Sequence, residues 1–127
     1  DETPLFPYLL SYEGEQRSER VLRQIESDLP RYCVEQNDLL VPLRYLNTHP
    51  GESDAIICAA LESIFDLPRG IACGIVDDWG QEFITPAIRR SLIKARQLSN
   101  NDVVTARIDC LLAGKHFDIG KFLNKRK

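Results

Sequence analysis

Thr85-Pro-Ala-Ile-Arg-Arg-Ser-Leu-Ile-Lys-Ala-Arg-Gln-Leu98 is the stretch whose reading decides the fold. Threonine caps a helix through its hydroxyl, and proline at the first helical position gives up no backbone hydrogen bond. Ile88, Leu92, Ala95 and Leu98 recur at helical spacing and predict one buried stripe. At about 100° per residue, Arg89 and Arg96 fall on one flank of that stripe and Arg90 and Lys94 on the other. The basic side chains therefore border the apolar stripe and do not form one open face. Ser99-Asn-Asn-Asp102 then supplies a turn and a cap, and the next helix is expected from Asp102 to Ala113, with Gly114 as a left-handed C-cap. Val103, Val104, Ala106, Ile108, Cys110, Leu111, Leu112 and Ala113 run most of the way round it, the pattern of a helix buried on most sides.

The continuation, Ala106-Arg-Ile-Asp-Cys-Leu-Leu-Ala-Gly-Lys-His-Phe-Asp-Ile-Gly-Lys-Phe-Leu123, resembles the turn of a tetratricopeptide-type helical hairpin. A small residue, leucine, glycine, an aromatic and a second helix follow one another similarly. Gly120 stands where such repeats place alanine, and no second copy occurs at a 34-residue period. The resemblance covers less than a fifth of the chain and implies antiparallel helix packing there. Asp118 is the expected cap of a last helix, Ile119 to Lys125, anchored by Phe122 and Leu123.

Toward the N-terminus the punctuation continues. Pro4 and Pro7 break helical continuity, so residues 1–12 are expected to form an extended arm, with residues 13–127 one helical domain. A helix is expected from Glu15 to Asp28, with Leu22, Ile25 and Leu29 inward, ended by Pro30. Arg31–Gln36 suits a short helical turn. Asn37 and Asp38 precede a short helix over Leu39–Asn47, where Pro42 fits an early position. Ser53 is the expected cap of a helix from Asp54 to Phe65, whose face Ile56, Ile57, Ala60, Leu61, Ile64 and Phe65 is broad enough for the centre of a core. Leu67-Pro-Arg-Gly70 is the expected stop. Residues 71–84 fit a buried strand or a short buried helix, and the absence of any other strand-like run favours helix. On a helix, Gly70 and Gly74 would make a flat spot for close packing. Gly80 is expected to end the segment. Six to seven capped helices predict an all-α fold, either a compact bundle or a short stack of antiparallel helical hairpins.

Composition narrows the class. The 127 residues are 43% hydrophobic and 28% charged, which suits a folded globular chain. The longest apolar runs, Ala55–Leu61 and Ile71–Val76, fall far short of the ~20 residues of a membrane helix. The chain contains no methionine, so Asp1 reads as a processed end or a boundary within a longer protein. Asp1-Glu-Thr-Pro4 carries no basic n-region of a secretory signal. Cys33, Cys58, Cys73 and Cys110 are 25, 15 and 37 residues apart, with no Cys-x-x-Cys and no histidine at zinc spacing. They are expected to be free thiols that pack as small hydrophobes, which favours an intracellular compartment, cytoplasmic or nuclear.

Charge is polarised. Residues 1–84 carry 16 acidic and 6 basic side chains, and residues 85–127 carry 3 and 10. Such asymmetry marks either an internal acidic-on-basic contact or a partner surface. Asp77 and Asp78 beside Trp79, the sole tryptophan, are the candidate contact patch on the acidic side. Arg89, Arg90, Lys94, Arg96, Lys121, Lys125 and Arg126 are the candidates on the basic side. No catalytic residue, metal ligand or cofactor is expected. Cys110 and His116 would point to different faces of a helix, and the acidic trio Asp77, Asp78 and Glu82, which could hold Mg²⁺, lacks the phosphate loop or second carboxylate motif of a hydrolytic site. The expected function is a non-enzymatic protein–protein interaction module of the adaptor, inhibitor/immunity or assembly type. The alternative is a nucleic-acid-associated domain using those basic residues and Arg107.

Overall fold

The computed structural model describes residues 15–125. The expected N-terminal arm and Arg126 lie outside them. Seven α-helices follow in order: α1 (Glu15–Ser27), α2 (Leu40–Asn47), α3 (Asp54–Leu61), α4 (Asp66–Trp79), α5 (Pro86–Leu98), α6 (Asp102–Leu112) and α7 (Ile119–Lys125). Short 3₁₀ turns lie at Leu29–Tyr32 and Gln81–Phe83. The described residues contain no strand, so the fold is all-α.

Four caps and two stops fall where the sequence puts them, whereas Asn37 and Asp38 do not cap α2, whose N-cap is Leu39. Ser53 Oγ accepts from the Ile56 amide, and Thr85 Oγ1 from the Ile88 amide, each at 3.2 Å. Asn101 Oδ1 accepts from the Val103 and Val104 amides, and Asp118 Oδ1 from the Lys121 amide. Gly80, at φ +100°, ends α4, and Gly114, at φ +75°, follows α6. There the Lys115 and Gly114 amides donate to the Cys110 and Leu111 carbonyls, which closes the helix end with two bonds. Arg89, near the start of α5, donates to the carbonyl of Leu112 at the end of α6, so these two helices pack antiparallel.

Between α3 and α4 the structure corrects the sequence reading. The helix expected to reach Phe65 ends at Leu61, and Leu67–Gly70, expected as a stop, is an early part of α4. Pro68 sits third in α4, where backbone N–H groups have no intrahelical partner, so proline costs nothing there. Arg69 fixes the break. Its side chain is 3% exposed, with Nη2 donating to the Ser63 carbonyl at 2.7 Å and Nη1 to Asp66 Oδ1 at 2.6 Å. One buried guanidinium thus ties the turn after α3 to the first residue of α4. In consequence Ile64, expected in the core, is 80% exposed. The ambiguous stretch is helical to Trp79.

The core joins six helices. Leu22 and Ile25 of α1, Leu43 and Leu46 of α2, and Ile56, Ile57 and Leu61 of α3 are fully buried, as are Val76 of α4, Ile88 and Leu92 of α5, and Ile108 of α6. Helix α4 packs against α2, α3 and α6, and α5 packs against α3 and α6. Helix α6 is less enclosed than its apolar pattern suggests. Ile108 and Leu111 are buried, but Val103, Val104, Ala106, Cys110 and Leu112 are only partly so. All four cysteines are free thiols. Burial pushes the Cys73 thiol up to about 12, with Arg107 and Arg69 opposing, so it stays a neutral core atom.

Two contacts at these interfaces give measurable expectations. A methyl group at Gly70 would meet Val104 Cγ2 at 3.6 Å, an ordinary contact. Gly70→Ala should therefore raise stability by about 0.5–1 kcal/mol, the helix-interior cost of glycine. A urea midpoint shifted upward at unchanged slope would show it, and a downward shift would mean that α6 lies closer than this. Ser91, buried on α5, donates to Glu62 Oε2 at 2.6 Å, and Lys94 Nζ lies 3.3 Å from Oε1. The Ser91 hydroxyl, with Lys94 adding, holds the Glu62 carboxyl below its ordinary value. Its contribution to stability is then fully present above the usual carboxylate range and is lost as pH falls through the lowered value. Glu62→Gln should lower stability at neutral pH and flatten the acid limb of the stability curve, with no change in the alkaline limb.

Candidate functional site

Helix α4 has two unlike faces. Ala72, Cys73 and Val76 are fully buried, and they hold it rigidly in the bundle. On the opposite side, Ile71 and Gly74 line two open clefts at once. One, of about 400 Å³, lies toward α2 and is walled by Leu40, Arg44 and Asn47, with Ile75 and Asp78 at its α4 edge. The other, of about 590 Å³, lies toward α6 and is walled by Asn101, Val104 and Arg107, with Leu67 and Gly70 at its α4 edge. Because Gly74 carries no side chain, the ridge between them is low, and the pair reads as one trough crossing α4. Its floor is apolar and its walls are polar, the usual make-up of a recognition surface.

At the α6 wall a charged cluster fixes the geometry. Asp77 is on α4, its side chain 5% exposed. Its Oδ1 lies 2.9 Å from His116 Nδ1, and its Oδ2 lies 3.7 Å from Arg107 Nε. Arg107, 28% exposed, stacks over the Phe117 ring at 5.2 Å. A Cβ at Gly74 would sit 3.3 Å from Arg107 Nη1, so glycine is what lets the guanidinium lie along the trough. The Nε–H is buried and finds no hydrogen-bond acceptor, which leaves Asp77 as counter-charge only. His116 is 74% exposed, and its pairing with Asp77 ties the loop before α7 onto α4.

The residues singled out by sequence separate. Asp77 and Trp79 turn inward: the Trp79 indole N–H donates to the Leu46 carbonyl at 2.8 Å, and its ring meets Phe83 edge-on at 5.9 Å. Asp78 alone of that trio is exposed, at the α2 side of the trough. Neighbouring positions on a helix differ by about 100°, which is why Asp77 and Asp78 part company. Glu82 lies exposed on the following 3₁₀ turn. Among the described residues no three His, Cys, Asp or Glu side chains converge as a metal site would need.

The basic candidates are largely engaged within the chain. Arg96 holds Asp109 with two bonds, at 2.5 and 3.2 Å, and Asp109 raises the Arg96 pKa further. Lys94 faces Glu62, and Arg89 caps the end of α6. These pairs reduce the positive charge that α5 offers to solvent. Arg90 and Lys121 are exposed, and Lys125 closes α7. Sequence reasoning did not single out Arg44, Ile71 or Ile75, and weighed His116 only beside Cys110. No local signal marks them as a group, because the trough exists only where three helices separated in sequence meet.

No protein-family model, curated protein or solved structure matches this chain. Among the described residues no helix is long and apolar enough to cross a membrane.

Proposed function

We propose that this chain is a non-enzymatic protein-interaction module, of the adaptor, inhibitor or assembly type, that receives a segment of its partner in the trough over α4. The supporting observation is the pairing of two faces on one helix. The inner face is locked in the core, and the outer face presents Ile71 and Gly74 at the bottom of an open channel, with the buried Ile75 at its edge. A surface held by the core in this way is organised before binding, which lowers the entropic cost of association. The Gly74 position admits close approach of a partner backbone.

A photo-crosslinking residue placed at exposed Leu67 tests this, with one at exposed Gln97 on α5 as control. The trough site is expected to capture a discrete protein that survives nuclease treatment. Ile71→Glu and Gly74→Leu should each remove that adduct, and Ile71→Glu should do so while leaving the thermal melt in place. Equal capture from Gln97, or capture indifferent to both substitutions, would overturn the reading.

A further inference from the structure

The trough's charges point to the chemistry of its occupant. Arg107 lines the α6 wall with no hydrogen bond from its Nε, and its counter-ion Asp77 gives one oxygen to His116. Phe117 stacks beneath the guanidinium and Nη1 packs against the bare face of Gly74, so the fork is held in orientation with 28% of the side chain exposed to the trough. Across the apolar floor, exposed Arg44 lines the α2 wall. Of the two acids in the trough, Asp66 is already taken by Arg69, which leaves Asp78 alone. An apolar floor between two arginines, with one free carboxylate, favours an apolar segment that carries acidic residues. Arginine suits this role because its planar fork binds a carboxylate with two parallel bonds.

We propose that the occupant of the trough is an acidic amphipathic segment of a partner protein, with apolar side chains on Leu67 and Ile71 and a carboxylate paired with the Arg107 guanidinium. The proposal rests on the interaction reading above and adds the charge of the partner. The probe is a displayed library of random 16-residue peptides, selected on the full chain and counter-selected on its Ile71→Glu variant. Enriched peptides should combine apolar residues with Asp or Glu, and bind more weakly in high salt. Arg107→Gln should weaken them about tenfold or more, and Arg107→Lys should restore only part of the loss. Arg44→Gln, on the exposed wall, should weaken them less and guards against an Arg107 variant that merely loosens α6. Enriched peptides that are neutral or basic, or that ignore both arginine substitutions, would overturn the acidic partner while leaving the trough as a docking surface. A selection yielding no peptide sensitive to Ile71→Glu would overturn both.

Discussion

Trp79→Ala is expected to cost about 3–5 kcal/mol, the usual range for removing a large aromatic from a core. Total stability for a domain of this size is about 5–15 kcal/mol, so the variant should lie near the edge of folding at body temperature. Trp79 sits in the last turn of α4, buried, with its indole N–H on the Leu46 carbonyl of α2 and its edge toward Phe83. It thus joins α4, α2 and the turn leading to α5. Trp79→Phe separates the two contributions. The ring volume largely stays, and the Leu46 carbonyl still receives the His49 amide at 3.1 Å, so about 1 kcal/mol should be lost with the indole bond. Urea unfolding followed by circular dichroism reads both, since the variants lack the sole tryptophan. A near-neutral Trp79→Ala would make Trp79 a surface contact residue and undo the rotation assigned to α4.

Asp77→Ala is the second large effect, expected at about 2–3 kcal/mol. The substitution strips the counter-charge from Arg107, whose guanidinium is mostly buried against Phe117 and Gly74, and releases the loop that His116 ties down. His116→Ala should cost below about 1 kcal/mol, because that imidazole is mostly in water and exposed pairs contribute little. The asymmetry is the test. Arg107→Met should cost nearly as much as Asp77→Ala, and the double variant should cost less than the sum, because each single change leaves the other charge stranded. Equal, small losses for Asp77 and His116 would mean that the cluster is a surface ion pair and does not anchor the α6 wall.

Much of this architecture is legible in the chain because it is written in local chemistry. Thr85-Pro86, Ser53, Asn101 and Asp118 cap helices through their own next turn, and Gly80 and Gly114 supply positive φ where helices stop. Residues 62–70 mislead for a physical reason. Pro68 and Gly70 look like punctuation, yet proline is harmless in a first turn, and what breaks the chain at Ser63 is the buried side chain of Arg69 six residues further on. The face on which Trp79 falls depends on how α4 is rotated by its neighbours, which no spacing within α4 reveals. The Asp77–His116 pair spans 39 positions, so neither residue signals the other. The polarised charge is legible as arithmetic, but its structural use is divided: Lys94 meets Glu62 and Arg107 meets Asp77 across the two parts, whereas Arg96 meets Asp109 within the basic part.

Everything assigned to the trough depends on residues 66–79 forming one helix. Backbone ¹³Cα and ¹³C′ chemical shifts of the full chain decide this most directly. Helical shifts should run unbroken from Asp66 to Trp79, reset at Gly80, and lapse over Glu62–Phe65 after α3. A helix continuing from Asp54 through Phe65 with a break at Leu67–Gly70, or extended-type shifts over Ile71–Val76, would contradict the fold and remove the trough with it.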